Sequence, residues 1–382
     1  MTGNLKRKIA VTTGSRADYG ILRSVLREIN KSAKLKLYLV VTGTHLSKKY
    51  GMTIKEIQND GFKIYATIKM VPKNNSGFSM AQSVGRGVIE FSKLFQKIKP
   101  DINLILGDRD EMLASAISAY HMNIINAHIH GGDVSGGIDE YTRHAITKIS
   151  NIHFTATQKS KQRVKNLGEN PNYVFNTGSP GVDEINQGMI TDKETLEKKY
   201  NILVNNNTLV LLQHPITTQT NLSKIQILNT IKALATLRNP VIAIAPNSDA
   251  GHQEIFNALK NFSKKHDFLH VYSSFPRSDY LGFLSNCGVL VGNSSSGIIE
   301  ASILGTPVVN LGIRQLNREA GNNVINVKNI ESKSILKAIH LALGRSKKPT
   351  KTYRAKNTGK KIVKILETIR LNNNILEKKL SY

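Results

Sequence analysis

One cysteine, Cys287, stands in a sequence of 382 residues, and tryptophan is absent. A single thiol excludes an internal disulfide framework and any multi-cysteine metal site, and it fits the reducing cytoplasm expected here. No apolar run approaches the roughly 20 residues that a membrane-spanning helix needs, so no membrane association is expected. The basic stretch from Met1 to Lys8 runs into Ile9-Ala10-Val11-Thr12-Thr13-Gly14. That run is too short for a signal-peptide core and ends in a glycine turn rather than a cleavage site. Neither a P-loop nor a Gly-x-Gly-x-x-Gly fingerprint occurs, which argues against ordinary nucleotide hydrolases and dehydrogenases.

Acidic residues are also scarce, 27 against 53 lysines and arginines, for a formal net charge of +26. Such a balance attracts anions of any size, nucleic acid included. The basic clusters Lys6-Arg7-Lys8, Lys347-Lys348 and Lys360-Lys361 are short and lack interleaved aromatic residues. Solvated surface lysines are the simpler reading, and no nucleic-acid partner is expected.

Apolar runs of strand length alternate with amphipathic stretches of helix length, the pattern of a parallel sheet with crossover helices. Strands are predicted at Lys8–Thr13, Lys36–Val41, Ile102–Leu106, Ile124–Ile129, Ile152–Ala156 and Tyr173–Asn176. In the second half they fall at Thr208–Leu212, Val241–Ala245, Leu269–Tyr272, Val289–Val291 and Pro307–Asn310. Between them, helices are predicted at Tyr19–Asn30, Met80–Ile98, Asp110–Tyr120, Asp139–Ser150, Asp192–Lys199, Leu222–Leu237, Gln253–Lys264, Ser278–Ser285 and Ser296–Leu304. The turn-rich Gly178-Ser179-Pro180-Gly181 marks a boundary. The expected organisation is α/β, with two Rossmann-like domains over 1–180 and 181–352 and a helical tail, 353–382, returning to the first. Ligands of such sheets bind at the carboxyl edges of the strands, so a cleft between the two domains is expected.

Polar motifs follow the predicted strands. Thr13-Gly14-Ser15-Arg16-Ala17-Asp18 joins a glycine turn to a helix start, where free N–H groups and the Arg16 guanidinium suit an anion. Asp18 reads as the helix N-cap, with a place in the ligand site as the alternative. In Gly107-Asp108-Arg109-Asp110-Glu111, Asp108 is nearest the strand edge. Asp110 and Glu111 suit the first turn of the following helix.

His128-Ile129-His130-Gly131-Gly132-Asp133 follows a buried strand. Alternation puts both histidines on one side. With Asp133 they outline a metal site, but no further ligand set completes it, and the glycines suit close approach to a sugar or phosphate. On the next helix Glu140, Arg143, His144 and Thr147 share one stripe. In the second half, Gln213-His214-Pro215, Pro246-Asn247-Ser248-Asp249 and Gly292-Asn293-Ser294-Ser295-Ser296-Gly297 each close a strand. Glu300 lies in the helix after the last of these, and Arg314 and Arg318 follow one more strand.

Taken in this order, Gly107-Asp108-Arg109, Gly131–His144, Gln213-His214-Pro215, Gly292–Gly297 and Gly305–Gly321 resemble the UDP-N-acetylglucosamine 2-epimerase family, in particular its hydrolysing branch. The resemblance runs from Lys8 to about Leu343 and implies the two-domain glycosyltransferase-B arrangement. It implies elimination of UDP to a 2-acetamidoglycal followed by hydration to the free 2-epimer, with no cofactor and no metal. On this basis Asp108, Asp133, Glu140, Arg143 and His214 would be catalytic. Arg16, Asp18, His144, Asn247, Asp249, Ser294, Ser295, Ser296, Gly297, Glu300 and Arg314 would hold the UDP-sugar. Asp133 stands where many relatives carry glutamate, one methylene longer.

UDP-N-acetylglucosamine is the first expected substrate and UDP-N,N′-diacetylbacillosamine the second. Relatives commonly form dimers or tetramers, so a homo-oligomer is implied. The polar loop Pro72–Phe78 is expected to help cover the sugar. A UDP-sugar glycosyltransferase of the same fold would need an acceptor groove rather than clustered acids. A basic nucleic-acid-binding protein would account for the charge and leave the acids unexplained.

Overall fold

The computed structural model describes residues 6–72 and 76–381. Within the Pro72–Phe78 loop, Lys73, Asn74 and Asn75 lie outside the described residues, whereas Ser76 caps the following helix by accepting from the Ser79 N–H. Two compact units result. One holds the described residues up to Asp133, Asp139–Asp183, and those from Ala355 onward; the other holds Val134–Ile138 and Glu184–Arg354.

In the first unit, β1 (Arg7–Thr13), α1 (Arg16–Lys31), β2 (Leu35–Thr42), α2 (Ile54–Asn59), β3 (Ile64–Ile68), α3 (Gly77–Ile98) and β4 (Ile102–Leu106) come first. They are followed by α4 (Asp110–His121), β5 (Ile125–Ile129), α5 (Ile138–Lys148), β6 (Ile152–Thr155), α6 (Gln158–Asn166) and β7 (Val174–Asn176). The seven strands are parallel in the order β3-β2-β1-β4-β5-β6-β7. The strand order reverses between β1 and β4, the point where such sheets bind ligands.

Strands β1, β4 and β5 are buried on both faces, which is why they read as unbroken apolar runs. Helix α1 shows how sequence sets one face. Ser15 caps it, and Tyr19, Leu22, Val25, Leu26 and Ile29 recur at helical spacing and are fully buried against the sheet. Each such side chain contributes about 1.5–3 kcal/mol by burial.

The second unit follows with α7 (Asp183–Asn186), α8 (Lys193–Tyr200), β8 (Leu209–Leu212), α9 (Ser223–Leu237), β9 (Val241–Ile244), α10 (His252–Ser263) and β10 (Leu269–Tyr272). Then come α11 (Arg277–Asn286), β11 (Val289–Gly292), α12 (Glu300–Leu304), β12 (Val308–Leu311), β13 (Val324–Val327) and α13 (Ser332–Leu343). Its six parallel strands run β10-β9-β8-β11-β12-β13, and the order reverses between β8 and β11.

The tail carries α14 (Thr358–Thr368) and α15 (Asn373–Leu376). Helix α14 buries Ile362, Val363 and Leu366 in the same core as α1, and its start is held by Asp183, whose carboxylate accepts the Thr358 and Gly359 N–H groups at 2.9 and 2.8 Å.

Several elements escape a reading of apolar pattern, β3, β13, α6 and α13 among them. Strands β3 and β13 lie at sheet edges and are half-exposed, so neither needs a continuous apolar run. Helix α6 buries only Ser160 and Val164, and α13 lies beyond the predicted helices although its buried Ile335, Ala338, Ile339 and Ala342 fall at helical spacing. The predicted helix Ser296–Leu304 is in fact broken. A 3-10 turn, Ser295–Gly297, precedes the five-residue α12, and Ser294 caps that turn. Among the described residues no helix is long and apolar enough to cross a membrane.

Candidate active site

At the β1/β4 reversal of the first unit, Ser15 rather than Asp18 is the N-cap of α1, its hydroxyl accepting the Asp18 N–H at 3.4 Å. Asp18 turns back instead and accepts the Gly14 N–H at 3.3 Å. Its carboxylate lies 4.0 Å from Arg109, which also pairs with Glu111 at 3.3 Å. Burial pushes the Asp18 carboxyl up to about 6 against the pull of Arg109, with Glu111 adding to the rise. Gly14 permits this crowding, because a Cβ there would stand 2.9 Å from the Glu111 carboxyl carbon. Arg16 occupies the first position of α1. Asp110 and Glu111 open α4, as the helix dipole favours.

The carboxyl ends of β4 and β5 meet α5. The Arg143 guanidinium is buried, donates to the Asp108 carboxylate, and reaches the Asp133 carbonyl at 3.1 Å and Glu140 at 3.5 Å. Glu140 in turn pairs with His144 at 2.9 Å. Asp108 and Glu140 remain partly accessible, at 22% and 28% of their side-chain surface. Asp133 differs. It is fully buried, with one oxygen taking the Ser160 hydroxyl at 2.8 Å and the other facing His130 Nδ1 at 3.1 Å.

Strand alternation ends at Ile129, because His130 has a left-handed backbone with φ of 68°. Its other ring nitrogen lies 3.0 Å from the Ser179 hydroxyl. His128 stays in the strand, fully buried, with Nε2 at 2.7 Å from the Gly107 carbonyl and Nδ1 at 3.2 Å from Thr147. Burial holds it near 3, so the ring is neutral. Both rings are thus committed to protein groups. Among the described residues no group of three or more His, Cys, Asp or Glu side chains is arranged to hold a metal.

In the second unit the β8/β11 reversal is closed by His214 and Asn293. Asn293 Oδ1 accepts the His214 N–H at 2.7 Å, and its Nδ2 donates to the His214 carbonyl at 2.9 Å. The Asn247 N–H donates to His214 Nδ1 at 3.1 Å, and the Asn247 amide reaches Asp249 at 2.5 Å. Gly292 has φ of 141°, and a Cβ there would collide with the Leu212 carbonyl, so only glycine lets the chain turn into Asn293.

Ser294 and Ser296 share a hydroxyl contact at 3.1 Å, and Tyr280 hydrogen-bonds Ser296. Ser295 and Gly297 bound the same 3-10 turn. Arg314 donates to the Asn293 carbonyl at 3.2 Å, while its own carbonyl accepts the Gly136 N–H at 2.7 Å. Glu300 is buried and bonded to Arg277 at 3.0 Å, which also holds Glu184 at 2.9 Å. Arg318 is buried against Gln315.

Two residues of these sites gained their place only from the fold. In the sequence His130 is a candidate metal ligand and Asn293 one residue of a strand-ending turn. The single available signal for Asn293 was its position directly after a strand-ending glycine.

The chain matches the family described as UDP-N-acetylglucosamine 2-epimerase over residues 27–367. It is 38% identical over 373 residues to the UDP-N,N′-diacetylbacillosamine 2-epimerase (hydrolyzing) of Legionella pneumophila, covering 97% of this chain and 98% of that one. It is 34% identical over 323 residues to the GDP/UDP-N,N′-diacetylbacillosamine 2-epimerase (hydrolyzing) of Campylobacter jejuni, covering 84% of each. The crystal structure of Methanocaldococcus jannaschii UDP-GlcNAc 2-epimerase in complex with UDP-GlcNAc and UDP superposes with a TM-score of 0.81 at 18% identity, covering 94% of this chain and 99% of that one. The fold is therefore the glycosyltransferase-B type built from two parallel-sheet α/β domains. The acid–arginine site on one sheet, the histidine–asparagine turn on the other and the matched length agree, and the chain belongs to the UDP-N-acetylglucosamine 2-epimerase family.

Proposed function

We propose that the chain is a hydrolysing 2-epimerase whose substrate is UDP-N,N′-diacetylbacillosamine. The observation that carries the chemistry is the convergence of Asp108 and Glu140 on the buried Arg143 guanidinium. The choice of sugar rests on the Legionella and Campylobacter relatives, which reverse the order of substrates expected from sequence alone.

The reaction removes the C2 proton as UDP leaves C1, giving a 2-acetamidoglycal. Water then adds its hydroxyl to C1, and a proton returns to C2 on the opposite face, releasing the free 2-epimer. An unactivated C–H needs a placed base, and departing diphosphate needs fixed positive charge. Asp108 and Glu140 are the proton-transfer carboxylates, and Arg143 sets their separation and charge. Asp133 has both oxygens engaged and acts through His130, holding its ring in one orientation. Arg16, Asp18 and His144 contact the sugar and its phosphate. In the second unit His214, Arg314 and Ser294–Gly297 take the diphosphate. Asn247, Asp249 and Glu300 support the nucleotide side, Glu300 from its pairing with Arg277.

The test is incubation with each sugar nucleotide and no acceptor, followed by NMR of the products in deuterated water. UDP release with a free 2-epimer deuterated at C2, faster from the diacetylbacillosamine substrate, is the expected result. A product still linked to UDP, or no turnover until an acceptor is added, would sink the proposal. Faster turnover of UDP-N-acetylglucosamine would keep the chemistry and change the sugar.

A further inference from the structure

Helix α5 carries Glu140 in its first turn and Arg143 and His144 at its middle. Its other end is held by a lysine more than two hundred residues further along the chain. Lys378 Nζ donates to the carbonyls of Lys148 at 2.6 Å and Ser150 at 2.7 Å, with Thr147 at 3.4 Å. The last carbonyls of a helix have no partner within it and carry the negative end of its dipole, so an ammonium there both satisfies and neutralises them.

The same ammonium lies 2.5 Å from Glu169, a carboxylate only 1% exposed that also pairs with Lys148 at 2.8 Å and His153 at 3.1 Å. Neighbouring tail residues add backbone stitches. Asn151 donates to the Ile375 carbonyl at 2.7 Å, and the Ser381 N–H donates to the Gly168 carbonyl at 3.0 Å. From this anchored end, the contacts run back along α5. The Thr147 hydroxyl donates to the Arg143 carbonyl at 3.0 Å and lies 3.2 Å from His128, which in turn reaches the carbonyl of Gly107, the residue before Asp108.

We propose that Lys378 is a positioning residue for the α5 acid–base site, fixing the helix end so that Arg143 stays set against Asp108 and Glu140. The proposal rests on the reaction assigned above, and its test is divided so that the two fail separately. Hydrogen–deuterium exchange, read without any sugar nucleotide, compares wild type, Lys378→Met, Lys378→Arg and Glu169→Gln. Lys378→Met is expected to speed exchange over residues 139–150 and to leave the second unit unchanged. UDP release under saturating substrate should then fall about ten- to a hundredfold in kcat, the scale of a misplaced catalytic group. KM should stay within about twofold, and Lys378→Arg should recover most of the rate, a split that general destabilisation does not give.

Unchanged exchange over 139–150, or unchanged kcat in an active enzyme, overturns the positioning role. Exchange that responds in a protein whose wild type releases no UDP keeps the clamp and sinks the assigned reaction. Should Lys378→Met fail to fold, Glu169→Gln/Lys378→Met removes the buried carboxylate along with its partner, and the same two readouts apply.

Discussion

Asn293 clasps His214 at two points, accepting its N–H at 2.7 Å and donating to its carbonyl at 2.9 Å. The clasp bridges the ends of β8 and β11, the two strands between which the second sheet reverses its order. It also presents the imidazole to the Asn247 N–H, which donates to Nδ1. A ring nitrogen that accepts a hydrogen bond carries no proton, so neutral His214 holds its hydrogen on Nε2.

Nitrogen-15 NMR of the histidine side chains at pH 8 should therefore show His214 as the Nε2–H tautomer. Asn293→Ala removes both clasping bonds. With a cost of about 1–3 kcal/mol, it should weaken UDP binding by about tenfold or more, measured by calorimetry. Unaltered UDP affinity would remove this turn from the nucleotide site.

Arg143 makes its contacts through several faces of one planar guanidinium: Asp108, the Asp133 carbonyl and Glu140. Lysine offers a point charge on a flexible stem and cannot hold three acceptors in fixed directions. Arg143→Lys should lower kcat for UDP release by about a hundredfold or more while UDP affinity changes little. Equal losses in kcat and UDP affinity would assign Arg143 to nucleotide binding instead.

Burial opposes the charge on Glu169, but His153, Lys148 and Lys378 outweigh it and hold the carboxyl at about 2. This folded value lies below the ordinary 4.5. The stabilisation is therefore complete above the ordinary value and is lost as pH falls from there towards 2. Urea unfolding should show that loss in wild type and not in Glu169→Gln. At pH 7 the variant should be less stable by about 3–5 kcal/mol, the cost of stripping a buried ion cluster of its anion.

Asp18 works in the opposite sense. Its carboxyl is raised to about 6, mainly by burial, so its charged form costs stability as pH rises from the ordinary carboxylate range through 6. Asp18→Asn keeps an acceptor for the Gly14 N–H and should raise stability at pH 8 by about 1–3 kcal/mol. The gain should vanish near pH 4. A loss of stability at pH 8 would show that Arg109 outweighs the burial cost.

Much of the architecture could be read from local pattern. Ile102–Leu106 has the bounds that its apolar run predicts, because a strand buried between two helical layers is apolar along most of its length. Edge strands β3 and β13 have no such requirement and left no comparable trace. The loop motifs were legible as well, since glycine, serine and acidic residues collect where strands end.

What each motif residue touches was not legible. Asp133 looked like another acid beside Asp108 and Glu140, yet Ser160 and His130 engage both its oxygens. Glu300 stands among the residues the resemblance gives to the UDP-sugar, and Arg277 holds its carboxylate. Lys378 looked like one more solvated lysine, yet it caps α5. Sequence by itself determined the strand–helix alternation, the glycine turns and the chemical types at strand ends, because those follow from burial period and backbone freedom. Tertiary structure alone decided which acids are exposed, which are paired and which helix ends are held, because those depend on partners brought together from distant parts of the chain.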